Sequence, residues 1–405
     1  MENYTVSVSA PGKVILHGEH SVVYGKTAIA VGLGLRSSIV VKEVPTRNKP
    51  AVYIHLPCVD LQETLPLEPV VSKLFKPPLA PGITGKFSWH LPDKLDHDTH
   101  LGKVDELLHE IKPNFDILPN NQKNSLRSFL YVFSGIFGST NLAIRSLDIA
   151  MGSELTIGAG TGSSASFAVC LAGALIRLVK LRSCSSYDSY YESQDFNFKE
   201  KEIISEWAYN CEKIMHGTPS GIDNATCTFG SVVSFKKGSR PKPLDLRLHM
   251  RILLVDTRVS RETRSLVVKV AALRHRNQAA VDHIMEACDH IANTATQVLE
   301  KLSSVKGNSN TEADYQHLAE LWEMNHCLLS ALGVSHPALE RIRAAAGARR
   351  LACKLTGAGG GGYAMILIPP YTSRSSVDSL TSQLLESGFR VKETTLGGSG
   401  VRLEM

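Results

Sequence analysis

Two carboxylates, one lysine and two runs of glycine carry most of the chemistry legible in this 405-residue chain. The first run is Gly158-Ala-Gly-Thr-Gly-Ser-Ser-Ala165. Glycine lets the backbone approach a ligand closely and adopt positive φ. The segment sits between an expected strand over 147–157 and an expected helix over about 164–181. Free amides and the macrodipole at a helix N-terminus favour an anion there. The hydroxyls of Ser163 and Ser164 can bind phosphate or a hard cation. Gly158, Ala159, Gly160, Gly162, Ser163 and Ser164 are therefore the candidate phosphate cradle. No Gly-Lys-Ser/Thr follows, and the last glycine of GxGxxG is missing, so neither the Walker loop nor the dinucleotide fingerprint is present. Taken alone, the run also reads as a tight strand-to-helix turn.

Glu212 and Asp223 are the strongest carboxylate candidates. Glu212 falls late in a mostly apolar helical pattern, and Asp223 in the turn Pro219-Ser-Gly-Ile-Asp. A nucleotide-bound Mg²⁺ needs only one or two protein oxygens, and phosphoryl transfer needs a group that orients the acceptor hydroxyl. Two separate carboxylates suit those two tasks; a solvated helix residue and a turn Asp are the plainer readings. Lys13 lies in Ala10-Pro-Gly-Lys-Val-Ile-Leu-His-Gly-Glu-His20, where a cation could stabilise transferring phosphoryl charge. Glu19 and His20 follow a further glycine and could hydrogen-bond a polar substrate. The second run, Gly357 to Gly362, has five glycines in six positions, more than one turn requires.

These residues need elements to hold them. Residues 4–9 alternate as a half-buried strand that Pro11-Gly12 should end. Residues 29–41 read as a strand pair interrupted by Gly32 and Gly34, and 52–56 as another strand. Residues 60–100 read as a polar, proline-rich surface excursion with room for one helix, including Lys76-Pro-Pro-Leu-Ala-Pro-Gly. A buried helix is expected over 126–137, a helix over 199–215, and a strand over 231–235. A new unit begins near Arg251, with a strand over 252–255, long helices over 262–302 and 313–332, a strand over 363–368, a helix over 377–387 and a final strand pair. The charged stretch 236–250 divides the chain into 1–245 and 246–405.

The bulk numbers narrow the partners. A net charge of +5 from scattered Lys and Arg fits a small anionic substrate and gives no basic arm for nucleic acid. Eight cysteines include no CxxC pair, which argues against a zinc ribbon and for a reducing compartment. The N-terminus lacks a basic-then-apolar leader, and the apolar run 166–179 is read as too short for a membrane span. The expected location is cytoplasmic, with a peroxisomal one as the alternative.

Taken in order, Pro11 to His20, Gly158 to Ala165 and Lys354-Leu-Thr-Gly-Ala-Gly-Gly-Gly-Gly362 resemble the three motifs of the galactokinase, homoserine kinase, mevalonate kinase and phosphomevalonate kinase (GHMP) superfamily. Segments 12–25, 215–224 and 256–264 are most similar to its animal mevalonate kinase branch. The resemblance implies an α+β, two-domain fold, with a ribosomal-protein-S5-like N-terminal domain, a ferredoxin-like C-terminal domain, and a cleft between them. It leaves room for the last strand to return to the N-terminal domain. It implies transfer of the ATP γ-phosphoryl group to the 5-hydroxyl of mevalonate, in isoprenoid and sterol synthesis. Asp223 is then the catalytic base and Lys13 its partner. Glu19, His20 and Thr263 face the substrate, and Ser164 and Glu212 hold Mg²⁺. A homodimer and feedback inhibition by prenyl diphosphates are implied too. Three positions depart from the family pattern: Thr161 stands for Leu, Cys58 for the asparagine near the adenine, and Tyr363-Ala364 for a smaller pair. A sister kinase with another acceptor, or a non-catalytic sensor, remains the alternative from the residues alone.

Overall fold

The structure is a computed structural model that describes residues 3–46, 49–75, 95–138, 140, 142–183, 195–260, 262–305 and 311–404. The proline-bearing segment 76–82 and most of the Ser/Tyr-rich tract 182–197 lie outside these residues. The chain begins with β1 (Thr5–His17) and β2 (Thr27–Val44), antiparallel neighbours. Strand β1 does not stop at Pro11-Gly12. A register shift between Pro11 and Lys13 absorbs the proline as a bulge, and the strand continues to His17. Nor is β2 a pair: it is one eighteen-residue strand. Gly34 does not break it but lets another strand approach, since a Cβ there would lie 2.6 Å from Thr395 Oγ1.

Next come β3 (Ala51–Leu56), β4 (Leu61–Pro66), α1 (Leu67–Leu74), α2 (His97–Ile111) and α3 (Asn120–Phe137). Among its described residues, the excursion read at 60–100 thus includes a strand, the whole of α1 and the start of α2. Strand β5 (Ser146–Ser153) leads to α4 (Ser163–Ser183). At 21 residues α4 is long and apolar enough to cross a membrane, which corrects the length argument, but 78% of its apolar window is buried inside the protein. Being apolar all round, it packs as a core helix. Helix α5 (Phe198–His216) opens with a reciprocal capping box between Asn197 and Glu200. Helix α6 (Ile222–Phe229) follows Gly221, whose φ of 83° supplies the corner. The turn reading at Asp223 missed this helix because eight residues are too few to show a period.

Strands β6 (Val232–Lys236), β7 (Lys242–Leu244) and β8 (His249–Asp256) precede α7 (Thr263–Arg276), α8 (Gln278–Ser304) and α9 (Glu312–Ala331). The single helix expected over 262–302 is two, parted at Asn277 and braced by Arg274 on Asp282. Asparagine competes with the helical backbone for hydrogen bonds, which suits a corner. Then come α10 (Pro337–Gly347), also unforeseen, β9 (Cys353–Leu355), β10 (Tyr363–Ile368), α11 (Arg374–Glu386), β11 (Arg390–Gly397) and β12 (Arg402–Leu403).

Strand β2 is the spine. It pairs with β1, β5 and β6, and through Leu33 and Leu396 with β11, which continues to β8, β10 and β9. One core lies between the β1–β5 layer and helices α3 to α5. Two more flank the β8–β11 layer, under α8 and α9 on one face and α10 and α11 on the other. The last strand returns to pair with β1, Leu403 opposite Val8.

Candidate active site

A cavity of about 730 Å³ opens where the β1 bulge, the first glycine run, α5, α6 and the second glycine run converge. Lys13 leaves β1 at the bulge. Its Nζ lies 3.1 Å from Asp223 Oδ2, and both line the cavity. The same residue is locked to the glycine-rich loop, because its backbone N–H donates to Thr161 O at 2.9 Å. Gly162 has φ 74°, and a Cβ on it would sit 2.8 Å from Lys13 Cγ. The bulge that the proline reading missed is therefore the point where first motif and loop interlock. Asp223 occupies the first turn of α6, held at that end by the Gly221 corner.

Glu212 lies on α5 and is almost wholly buried at the cavity wall. Burial, and then the nearby Asp223 carboxylate, push its carboxyl up to about 7, against the opposing pull of Ser164 and Lys13. Its Oε1 has no hydrogen-bond partner among the described residues. Ser164, in the first turn of α4, shares a hydrogen bond of 3.1 Å with His216 Nε2, which is 3.8 Å from Glu212 Oε2. A buried carboxylate oxygen without a partner, facing a hydroxyl, is a donor set that a hard cation fits. His216 was missed. The spacing Glu-x-x-x-His on one helix face was the available signal.

Not every residue of the loop faces the cavity. Gly158, Gly160, Gly162, Ser163 and Ser164 line it. Ala159 instead packs toward the core under α8 and α9, so it offers backbone alone to a ligand. Thr161 is buried outside the lining, and its departure from leucine touches packing rather than the ligand surface. Cys58 is exposed and lines the cavity beside Val59. Asn121, Asn124 and Ser125 of α3 share the lining and were not singled out from sequence. The carboxamides of Asn121 and Asn124 and the Ser125 hydroxyl add polar groups to the lining near Cys58.

At the other side lie Gly18, Glu19, His20, Thr263, Gly357 and Ala358. Thr263 starts α7 and is exposed to the cavity. His20 Nε2 lies 2.9 Å from Ala358 O, and its backbone takes φ 59°. The Glu19 carboxylate is buried and ion-paired through Oε1 at 2.5 Å with Lys354. The second glycine run divides. Gly357 reaches the cavity, whereas Gly359 and Gly361 are glycine for packing, since a Cβ would come within 2.1 Å of Val334 O and 2.8 Å of Val259 Cβ. Tyr363, in place of a smaller residue, donates to Thr156 Oγ1 at 3.1 Å, just ahead of Gly158.

The family model for the GHMP kinases N terminal domain matches residues 127–231, which hold the loop, Glu212 and Asp223. The mevalonate kinase of Homo sapiens is 32% identical over 98% of this chain and 94% of its own length. Mevalonate kinase ERG12 of Gibberella zeae is 35% identical over 97% of this chain and 76% of its own. The chain belongs to the mevalonate kinase family. Among solved structures, the Methanococcus jannaschii mevalonate kinase superimposes with a TM-score of 0.65 at 21% identity, covering 98% of each chain. The L. major mevalonate kinase, solved in complex with R-mevalonate, gives 0.65 at 20% identity and 98% of each chain. These two likenesses place the chain in the mevalonate kinase fold, with its two α+β layers.

Proposed function

We propose that the chain phosphorylates the 5-hydroxyl of (R)-mevalonate with ATP, giving 5-phosphomevalonate and ADP, as a step of isoprenoid and sterol synthesis. The observation that carries this is the Lys13–Asp223 pair, 3.1 Å apart in one cavity with the glycine-rich loop at the α4 N-terminus. Amides of that loop hold the triphosphate. Asp223 accepts a hydrogen bond from the acceptor hydroxyl, aligns its oxygen on the γ-phosphorus and takes the proton as the new P–O bond forms. The terminal P–O bond to ADP breaks in the same step. Lys13 offsets charge spreading over the phosphoryl oxygens. Ser164 and Glu212 would hold a magnesium ion. Such an ion supplies neutralisation of the triphosphate charge.

The test is purified protein with ATP and a panel of mevalonate, phosphomevalonate, galactose and homoserine, products read by phosphorus NMR. Turnover on mevalonate alone supports the reading; turnover on another acceptor alone overturns it. Prenyl diphosphates join a diphosphate to an apolar tail. The loop beside Ile157, Met151 and Phe167 suits both parts, and we propose them as inhibitors competing with ATP. A homodimer is proposed on family grounds, with light scattering as its check. A cytoplasmic location is proposed from the cysteines, seven of which are free among the described residues; a tagged chain found mainly in an oxidising compartment would refute it.

A further inference from the structure

The proposed chemistry makes no use of Lys354, yet this lysine is fully buried. Its Nζ donates to Glu19 Oε1 at 2.5 Å and to Leu355 O at 2.8 Å. A buried ion pair adds little net stability over apolar side chains of the same volume, because both charges must leave water. Packing alone would be served by methionine or leucine. The pair therefore calls for another explanation, and its surroundings supply one.

Residues 354, 356 and 358 grip the first motif in turn. Lys354 holds Glu19. Thr356 Oγ1 donates to Ile15 O at 2.8 Å and accepts from Ile15 N at 3.1 Å. Ala358 O meets His20 Nε2 at 2.9 Å. Between the outer two contacts the chain makes a strained corner. Gly18 has φ 91° and His20 φ 59° with ψ −44°, a positive-φ backbone that a residue with a Cβ rarely adopts. Such a corner persists only where its surroundings fix it. Gly18, Glu19 and His20 all line the cavity, together with Gly357 and Ala358 of the second glycine run. The second Glu19 oxygen, Oε2, is buried and has no hydrogen-bond partner among the described residues.

We propose that Lys354 is a positioning residue for the acceptor substrate: it fixes the Glu19 carboxylate and, through it, the Gly18–His20 corner that meets the hydroxy acid. Burial alone would discharge both members, raising the Glu19 carboxyl and lowering the Lys354 ammonium, and each opposes that drift in the other. The inference rests on the reading of this cavity as a mevalonate and ATP site.

Steady-state kinetics of the full-length wild type, Lys354→Met and Lys354→Gln test it, with each substrate varied separately. Loss of a charged hydrogen bond that acts on one substrate is expected to raise KM for mevalonate about tenfold in Lys354→Met. KM for ATP should stay within about twofold of wild type. Lys354→Gln keeps a hydrogen-bond donor for Glu19 and should recover part of the loss, to about threefold. Equal changes in both KM values, or an unchanged KM for mevalonate, overturn the proposal. If Lys354→Met fails to fold, Lys354→Gln decides by the same criterion. Wild-type protein that turns over mevalonate alongside unaltered variants sinks only this inference. Wild-type protein inert toward mevalonate sinks the function beneath it.

Discussion

At the scale of single residues, Asp223 and Glu212 divide the labour of the site, and substitution should separate them. Asp223 is a third exposed and paired with Lys13. In Asp223→Ala the hydroxyl loses its acceptor while the loop amides are untouched. The expected result is a fall in kcat of about a thousandfold with little change in nucleotide affinity. Near-normal turnover would remove Asp223 from the mechanism. Glu212 differs in being buried with an unpartnered oxygen and a carboxyl pushed up to about 7. In Glu212→Gln the proposed magnesium site would lose its carboxylate. The magnesium concentration for half-maximal rate should rise by about tenfold. Calorimetry of Mg²⁺ with the nucleotide-bound protein gives an independent readout, and an unchanged affinity would refute the metal role.

At the scale of elements, the site is a set of corners, and corners are where sequence reading was weakest. The glycine-rich loop, Lys13, Glu212 and Asp223 could all be named from residue type and order. Their carriers were less visible. The strand through Pro11 looked broken because a proline and a glycine end most strands. Only contact with Thr161 and Leu155 shows that a bulge was needed there. Helix α6 was too short to announce a period. Lys354 drew no role of its own from the sequence because burial of a charge is decided by tertiary partners alone. Glycine chemistry was readable, but which glycine serves a ligand and which serves packing was not. Gly162 and Gly158 make this testable, since both have φ 74°. A Cβ on Gly158 would meet nothing within 4 Å, whereas one on Gly162 would press on the Lys13 stem. Both alanine variants should lose about 1–2 kcal/mol of stability from left-handed strain. Only Gly162→Ala should also lose kcat beyond about tenfold, because it displaces Lys13. Equal activity losses in the two would mean that Lys13 is not held by this contact.

At the scale of the whole molecule, the chain closes on itself through its last residues, and this closure reaches the helix that carries Asp223. Gly398 O accepts from Ser231 N, and Val401 N donates to Thr228 O, so the tail packs on the far end of α6. Gly400 must be glycine there, because a Cβ would lie 2.0 Å from Thr228 O. Val401 is buried in the core beneath α4, and Glu404 hydrogen-bonds Ser9 of β1 at 2.5 Å. Arg36 of β2 fastens the arrangement. Its guanidinium donates to Ser9 Oγ at 2.7 Å, Ser9 O at 3.0 Å, Ser399 O at 3.0 Å and Gly400 O at 2.7 Å. A planar fork with five donors matches this set of oxygens, and a lysine could not reach all of them. Arg36→Met keeps most of the apolar stem but leaves those oxygens without their donor. The expected loss is about 2–4 kcal/mol, given that each unpaired, partly buried acceptor costs on the order of 1 kcal/mol. Urea unfolding of the full-length protein measures it. Because the tail braces α6, faster amide exchange should appear at Val401 and along Ile222–Phe229 before the β8–β11 layer responds. A variant as stable as wild type, with exchange unchanged at those amides, would show that the tail is fastened by its apolar contacts alone. A loss spread evenly over both layers would show instead that Arg36 acts on the shared spine β2 rather than on the tail.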